Sequence, residues 1–393
     1  MYRLCVSLIS RLAIGMVLIA LGVTQPSWVE VHAAGEGWYS SWQLRKTITI
    51  DATKVSSGPH SNFPVLINLS SDASLAANAQ ADGDDILFTS SDGTTKLSHE
   101  IEKYTSATGE LVAWVKVPSL PSTSNTVLYM YYGNASAASQ QDATNVWDTN
   151  FKAVLHMKED PSGTAPQILD STSNANQGSS QGSMTSGDLI PAKIGNGLDL
   201  DGTDDYISAT NSASLDITGN LITMQAWVRM PVPNAQDSPF IVKGPSMNTE
   251  RYMLGVDGGV TPAGINHRVT TADGHFRYDT GGMSNETWHF VVGVYEGTLA
   301  SNPRFRVYMD GALVSGNNAS GNILTTTEPV QFGKRVVGDD RWYNGDLDEL
   351  RISDIVRSAA WILTEYNNQN SPSTFYTVGA ATSSPDKFFL LFE

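Results

Sequence analysis

Short runs that alternate apolar and polar residues, broken every few positions by Gly, Asn, Asp or Ser, dominate this chain, and helical periodicity is nearly absent. Alternation with a period of two sends one face of each run to a core and the other toward water, so the fold class expected is all-β, built as sandwiches. Residues 46–50, 64–69, 86–88, 111–117 and 127–132 read as strands in the first half. In the second half the strands are 197–201, 206–208, 222–228, 252–256, 289–295, 304–309 and 347–352. Asp310-Gly311 predicts a tight hairpin. Two stretches depart from the pattern: alanine-rich residues 74–81, expected as a short helical turn, and residues 358–367, expected as a helix near the end of the chain.

At 393 residues the chain exceeds one ordinary domain. A small, polar stretch over residues 133–145 separates two strand sets and places a boundary near residue 148. Arg3 and Arg11 precede an apolar run from Leu12 to Val23, and Val31-His32-Ala33 leads to a cleavage point at Ala34, so residues 1–33 read as a secretory signal peptide. That run is too short for a comfortable membrane span. The single cysteine, Cys5, lies in the leader, so the exported chain has no disulfide and no thiolate metal site and is held by core burial. Without the leader, 22 basic residues face 39 acidic ones, a formal charge of −17 against −16 for the whole chain. With no basic patch to neutralise phosphates, nucleic acid is not an expected partner.

Several motifs resemble known families. In the second half, Asp170-Ser171, Gly197-Leu198-Asp199-Leu200-Asp201-Gly202, Asp204-Asp205-Tyr206-Ile207, Ala226-Trp227-Val228, Trp288-His289-Phe290-Val291, Val307-Tyr308-Met309-Asp310-Gly311 and Gly345-Asp346-Leu347-Asp348-Glu349-Leu350-Arg351-Ile352 occur in the order of a LamG-like, concanavalin A-like jelly roll. The first half resembles the domain family DUF2341 through Asp82-Gly83-Asp84-Asp85-Ile86, His99-Glu100-Ile101-Glu102, Ala113-Trp114-Val115-Lys116-Val117-Pro118 and Met130-Tyr131-Tyr132-Gly133-Asn134. The resemblance implies two tandem antiparallel β-sandwiches, 38–148 and 149–380, followed by a tail over 381–393. It further implies a secreted or envelope protein whose sandwiches bind or support, and in which a structural Ca2+ sits where loops meet at one edge of the jelly roll. Asp170, Asn174 and Asp348 are the oxygen donors expected for that ion, which takes six to eight oxygens.

Residues 346–352 decide between an enzyme and a binding module. Strand parity puts Asp346, Asp348, Leu350 and Ile352 on one face and Leu347, Glu349 and Arg351 on the other. Jelly-roll glucanases resemble this run but carry Glu-x-Asp-x-Glu, three carboxylates on one face. Here Leu350 fills the third slot, so no catalytic residue is assigned, and Glu349 is expected to pair with Arg351. A glycoside hydrolase using Asp346, Asp348 and a Glu349 re-aimed by a bulge is the alternative, and a purely structural spacer is a third reading. For ligand binding, exposed aromatics beside hydrogen-bonding groups are needed to face a sugar ring, and Trp342 and Tyr343, flanked by Arg341 and Asn344 in the 338–345 loop, meet that need. The acidic loops 82–85 and 199–205 read as turns. The histidines do not cluster in a metal-binding spacing; His267 and His275 have the spacing to meet across a hairpin, but packing or surface roles are expected of them. The expected function is a secreted, noncatalytic binding or adhesion protein that recognises carbohydrate or a cell-envelope component.

Overall fold

The computed structural model describes residues 37–385, apart from Ser40, 231–235, Met247, 259–261, Gly281, 301–302 and 336–340. The leader expected at 1–33 and tail residues 386–393 therefore lie outside the described residues, as do positions 338–340 of the loop singled out above.

Four β-sheets stack in pairs. In the first sandwich, a sheet of five strands in the order Tyr376–Ser383, Leu44–Ile50, Thr126–Tyr132, Leu87–Ser90, Lys96–Leu97 faces a sheet of three, His60–Leu69, Glu110–Leu120, His99–Thr105. Ile48, Ile50, Phe63, Val65, Ile67, Phe88, Ala113, Val115 and Met130 fill the space between them, every second residue along each run, as the alternation requires. The second sandwich places eight strands, with Asn344–Ser353, Leu221–Arg229 and His289–Glu296 at the centre, against seven that include Gly274–Thr280, Gly264–Thr271, Tyr252–Asp257 and Ser238–Lys243. All pairings are antiparallel. Asp310 and Gly311 both take positive φ (53° and 79°) between the paired Met309 and Ala312, the two-residue hairpin expected of Asp-Gly. The short helix Ala73–Asn78 is capped by Asp72, whose side chain accepts from the amides of Ser74 and Leu75.

The domain limits differ from expectation. The helix Ala359–Asn370, capped by Ser358, leads into the strand Tyr376–Ser383, which pairs with Leu44–Ile50 of the first sandwich. Trp361, Phe375 and Tyr376 belong to the first core. The chain thus leaves the first sandwich near 148, builds the second and returns, so 149–380 is not one domain. Residues 376–383 are edge residues, five of the eight exposed, with almost no apolar alternation, which is why they gave no strand signal.

Where the sandwiches meet, the three-stranded sheet packs on the eight-stranded one through a third apolar layer. Trp114, Trp147, Phe151, Ile194, Trp227, Phe290, Val292 and Ile362 make that layer, drawn from both sandwiches and the helix. Among the described residues, no helix is long and apolar enough to cross a membrane.

Candidate functional site

The closing strand Asn344–Ser353 does not keep simple parity. Trp227 pairs with Asp348 but Gln225 pairs with Arg351, so Glu349 and Leu350 together oppose Ala226 alone. Glu349 takes φ +53°, the left-handed conformation of the extra residue in a bulge. Past the bulge the faces exchange: Leu347, Leu350 and Ile352 all enter the jelly-roll core, and the expectation that Leu350 and Ile352 share a face with Asp348 is corrected. Asp348, Glu349 and Arg351 turn instead toward the first sandwich.

There they join a fully buried polar cluster. His156 Nδ1 lies 2.5 Å from Glu349 Oε1 and 3.6 Å from Glu102 Oε2, and its Nε2 lies 3.3 Å from Glu100 Oε2. Arg351 pairs with Glu349 at 2.5 Å, as expected, and with Glu365 at 3.3 Å, and its guanidinium lies over Trp114 and Trp147 at 4.4 and 4.8 Å. Burial opposes a charge on His156, but the carboxylates of Glu349 and Glu100 outweigh it and raise its pKa well above that of free imidazole. Burial, then the charge of Glu349, pushes Glu102 up. Burial likewise works against ionised Glu349, yet His156 and Arg351 hold it below the ordinary glutamate value. The carboxylate run is thus roofed by the first sandwich, and Asp346 stands apart, paired with Arg229.

The expected calcium donors are engaged elsewhere. Both Asp170 oxygens are taken: Oδ1 accepts from the amides of Val154 and Thr172, and Oδ2 from Thr172 Oγ1 and the amide of Asn176. Asn174 donates to Phe151 O and Thr172 Oγ1. Asp348 Oδ2 accepts from the amide of Ile194. Asp170 and Asn174 therefore brace the loop against the strand Phe151–Leu155, the local side-chain-to-backbone role that Asp and Asn fill readily.

Tyr343 is also not a surface residue. It is fully buried, edge-on to Phe240 at 5.1 Å, with its hydroxyl donating to Arg229 O, so it cannot face a ligand. Its neighbour Trp342 points the other way, as alternate residues do, and is half-buried beside Tyr206 at 5.6 Å, with Lys334 Nζ 4.1 and 4.6 Å from the two rings. Asn344 donates to Asp201 O.

Arg341 borders a charged array on the outer face of the seven-stranded sheet. Arg268, one strand position from the core-facing Val269, donates to Asn266 Oδ1 (2.8 Å), Glu250 Oε1 (3.2 Å) and Asp237 Oδ2 (2.5 Å). Arg335 donates to the same Glu250 oxygen, 3.0 Å from Nε and 2.5 Å from a terminal nitrogen. Arg277 reaches Asp237 at 3.0 Å and Asp279 at 2.5 Å, and Arg341 lies 3.7 Å from Asp237. Glu250, Asn266, Arg268 and Arg335 are fully buried, whereas the Arg277 side chain is 38% exposed and that of Arg341 26%, so the array has a dry floor and a wet rim. On the floor, Glu250 Oε2 and Asn266 Nδ2 have no protein hydrogen-bond partner. Burial lowers the pKa of His275, which accepts or donates at 2.8 Å to Thr270 Oγ1 on the same face. His267 points into the core on the opposite face, so the two histidines do not meet. Apart from Arg341 this array was missed, because its other members come from five separate segments; the signal that was present is the Asn266-x-Arg268 and Arg277-x-Asp279 alternation, polar on the outward face of adjacent strands.

A family model for the concanavalin A-like lectin/glucanases superfamily matches residues 201–363, and one for a domain of unknown function, DUF2341, matches residues 82–160. Among solved structures, the binding domain of Paraclostridial Mosquitocidal Protein 1 is similar at 13% identity over 55% of this chain and 52% of that one (TM-score 0.42). The botulinum neurotoxin serotype G binding domain is similar at 12% identity over 55% and 50% (TM-score 0.43), so this chain spans about half the length of each. Domain 4 of AbnA, a GH43 extracellular arabinanase from Geobacillus stearothermophilus, is similar at 15% identity over 56% of this chain and 98% of that one (TM-score 0.41). No curated protein matches the sequence.

Proposed function

We propose that this chain, a DUF2341 domain followed by a concanavalin A-like jelly roll, is an exported, noncatalytic protein that binds a neutral, hydroxyl-rich ligand such as an envelope or extracellular glycan on the outer face of its seven-stranded sheet. The observation that carries this reading is the floor of that face, where buried Glu250 Oε2 and Asn266 Nδ2 make no protein hydrogen bond, Oε2 lying 4.0 Å from His275 Nε2, below a rim of partly exposed Arg277 and Arg341. Unpaired buried donors and acceptors are costly, and a ligand hydroxyl that bonds to either lowers that cost. Four arginines (268, 277, 335, 341) face four carboxylates (Asp237, Glu250, Asp257, Asp279), so the array is charge-balanced and suits a neutral ligand better than a polyanion. Side chains locked on a sheet lose little freedom on binding. The absence of a catalytic assignment is supported by the roof over Asp348 and Glu349, which leaves a polymer no approach to them.

Glycan arrays and calorimetric titration of the mature chain test the reading. Asn266→Leu should weaken binding about tenfold or more, equivalent to ~1.4 kcal/mol, while Leu313→Ser on the other sheet leaves it unchanged. Failure of the wild-type chain to bind any glycan or envelope fraction would sink the proposal, as would binding indifferent to Asn266→Leu.

The spacer reading keeps one observation in its favour: the sandwiches are clamped by a buried polar seam, which suits a rigid support. It predicts no ligand, and the same titrations decide between the two.

A further inference from the structure

The seam cluster holds more carboxyl groups than basic groups. Glu100, Glu102, Asp348, Glu349 and Glu365 are all buried, and the basic groups in contact with them are His156, Lys158 and Arg351. Buried carboxylates in excess of their cations require either protons or a metal ion.

The geometry distinguishes these. One donor atom each from Glu102, His156 and Glu349 lies within 4.8 Å of the other two, on three different segments: the strand His99–Thr105 of the first sandwich, the residue after the strand Phe151–Leu155, and the bulge of the closing strand. An ion that binds imidazole nitrogen and carboxylate oxygen at about 2.0–2.2 Å needs donors roughly 3–4 Å apart, and Nδ1 of His156 lies 3.6 Å from Glu102 Oε2 and, closer, 2.5 Å from Glu349 Oε1. Two further oxygens, Glu102 Oε1 and Asp348 Oδ1, are buried and accept no hydrogen bond. Asp348 is fixed by the Ile194 amide through its other oxygen. Behind the imidazole, Nε2 of His156 faces Glu100 Oε2 at 3.3 Å, and Glu100 is itself held by Trp147 Nε1 (3.1 Å) and Ser171 Oγ (2.6 Å). A carboxylate behind one ring nitrogen orients a ligating imidazole; Nε2 makes no hydrogen bond and Nδ1 lies 2.5 Å from Glu349 Oε1, so the ion would take the place of the proton held between Nδ1 and that oxygen. Imidazole with carboxylates and no thiolate selects a divalent transition ion over calcium or copper(I).

We propose that Glu102, His156 and Glu349, with Asp348 as a fourth donor, bind one divalent transition-metal ion of the zinc class that ties the two sandwiches together. Such a buried ion enters during folding. The full chain is therefore unfolded in guanidinium with a chelator, refolded with or without ZnCl2, and passed through gel filtration before metal analysis and thermal unfolding. One zinc per chain should be retained and the unfolding temperature raised, and Glu102→Gln and Glu349→Gln should abolish both effects. Glu102→Gln should be at least as stable as wild type in chelator, since it replaces a carboxyl that burial keeps from ionising with a neutral group of the same shape; a purely structural glutamate would give the reverse. Asp204→Asn, in the partly exposed acidic loop, should leave the zinc content unaltered. Should a variant fail to fold, wild-type chain refolded with Co2+ supplies the readout, expected as visible ligand-field absorption. Refolded wild type without retained zinc, cobalt-refolded chain without that absorption, or zinc retention unchanged in Glu102→Gln overturns the proposal.

Discussion

His267 and His99 make stability depend on pH. His267 stacks on Phe305 at 3.9 Å in the jelly-roll core, and burial lowers its pKa to about 3; burial lowers that of His99 to about 4. In the unfolded chain both take a proton near the ordinary value of about 6.5. Below that pH the unfolded state binds more protons, so the stability from keeping these rings neutral is complete above about 6.5 and declines as pH falls toward the folded values. Each contributes a slope of about 1.4 kcal/mol per pH unit in that window. His267→Leu should remove its share, measured as a flatter dependence of the urea midpoint on pH; an unchanged slope would mean the ring is charged when buried. Gly195 is a second sensitive residue. Its φ is +55°, and a methyl group there would sit 2.4 Å from Glu102 Oε1. Gly195→Ala should cost about 1–3 kcal/mol in denaturant unfolding. At this scale the sequence was readable where burial follows from apolarity, as for Trp227, and unreadable where one backbone angle decides direction. Glu349 is that case: its left-handed conformation belongs to a non-glycine residue, and no composition rule announces it. Tyr343 was misread because alternation tells which neighbours share a face but not which face is the core.

Among the elements, the strands with alternating residues were found from sequence to within a few positions, since each carries its own apolar face. The bulged strand Asn344–Ser353 was found in place but wrongly aimed. The returning strand Tyr376–Ser383 was not found at all: its contribution is backbone pairing with Leu44–Ile50, which leaves no trace in side-chain pattern. What fixes its approach is the turn before it, where fully buried Phe375 enters the first core and its carbonyl accepts from the amide of Asp51. Phe375→Ala should destabilise the chain by about 3–5 kcal/mol, the usual cost of truncating a buried aromatic, read from chemical denaturation. A cost below ~1 kcal/mol would mean the strand docks without that anchor.

The whole molecule behaves as more than two beads on a string. The indole N–H groups of Trp114 and Trp147 donate to Glu102 and Glu100, that of Trp227 to Gln369, and Arg357 spans the crossover by pairing with both oxygens of Asp148 at 3.0 Å. Because the first sandwich is completed only by residues that follow the second, one cannot finish folding without the other. Calorimetry should therefore show a single transition with equal calorimetric and van't Hoff enthalpies; two resolved peaks would show independent sandwiches. The sequence boundary near 148 marked where strand pattern changes, which is a local property, whereas the unit of cooperativity is set by a long-range return that pattern cannot reveal. That return also has a mechanical side. Leu44, where the first strand begins, pairs directly with Ser383, where the last strand ends. Once the packed segment 37–43 has given way, a pull along these two strands loads that one residue pair first, and the strands part like a zipper, bond by bond, instead of sharing the strain along their length. Under tension the body would open at its own seam of entry, and the jelly roll, carried as one long excursion between the two strands, would be spared until that edge had peeled away.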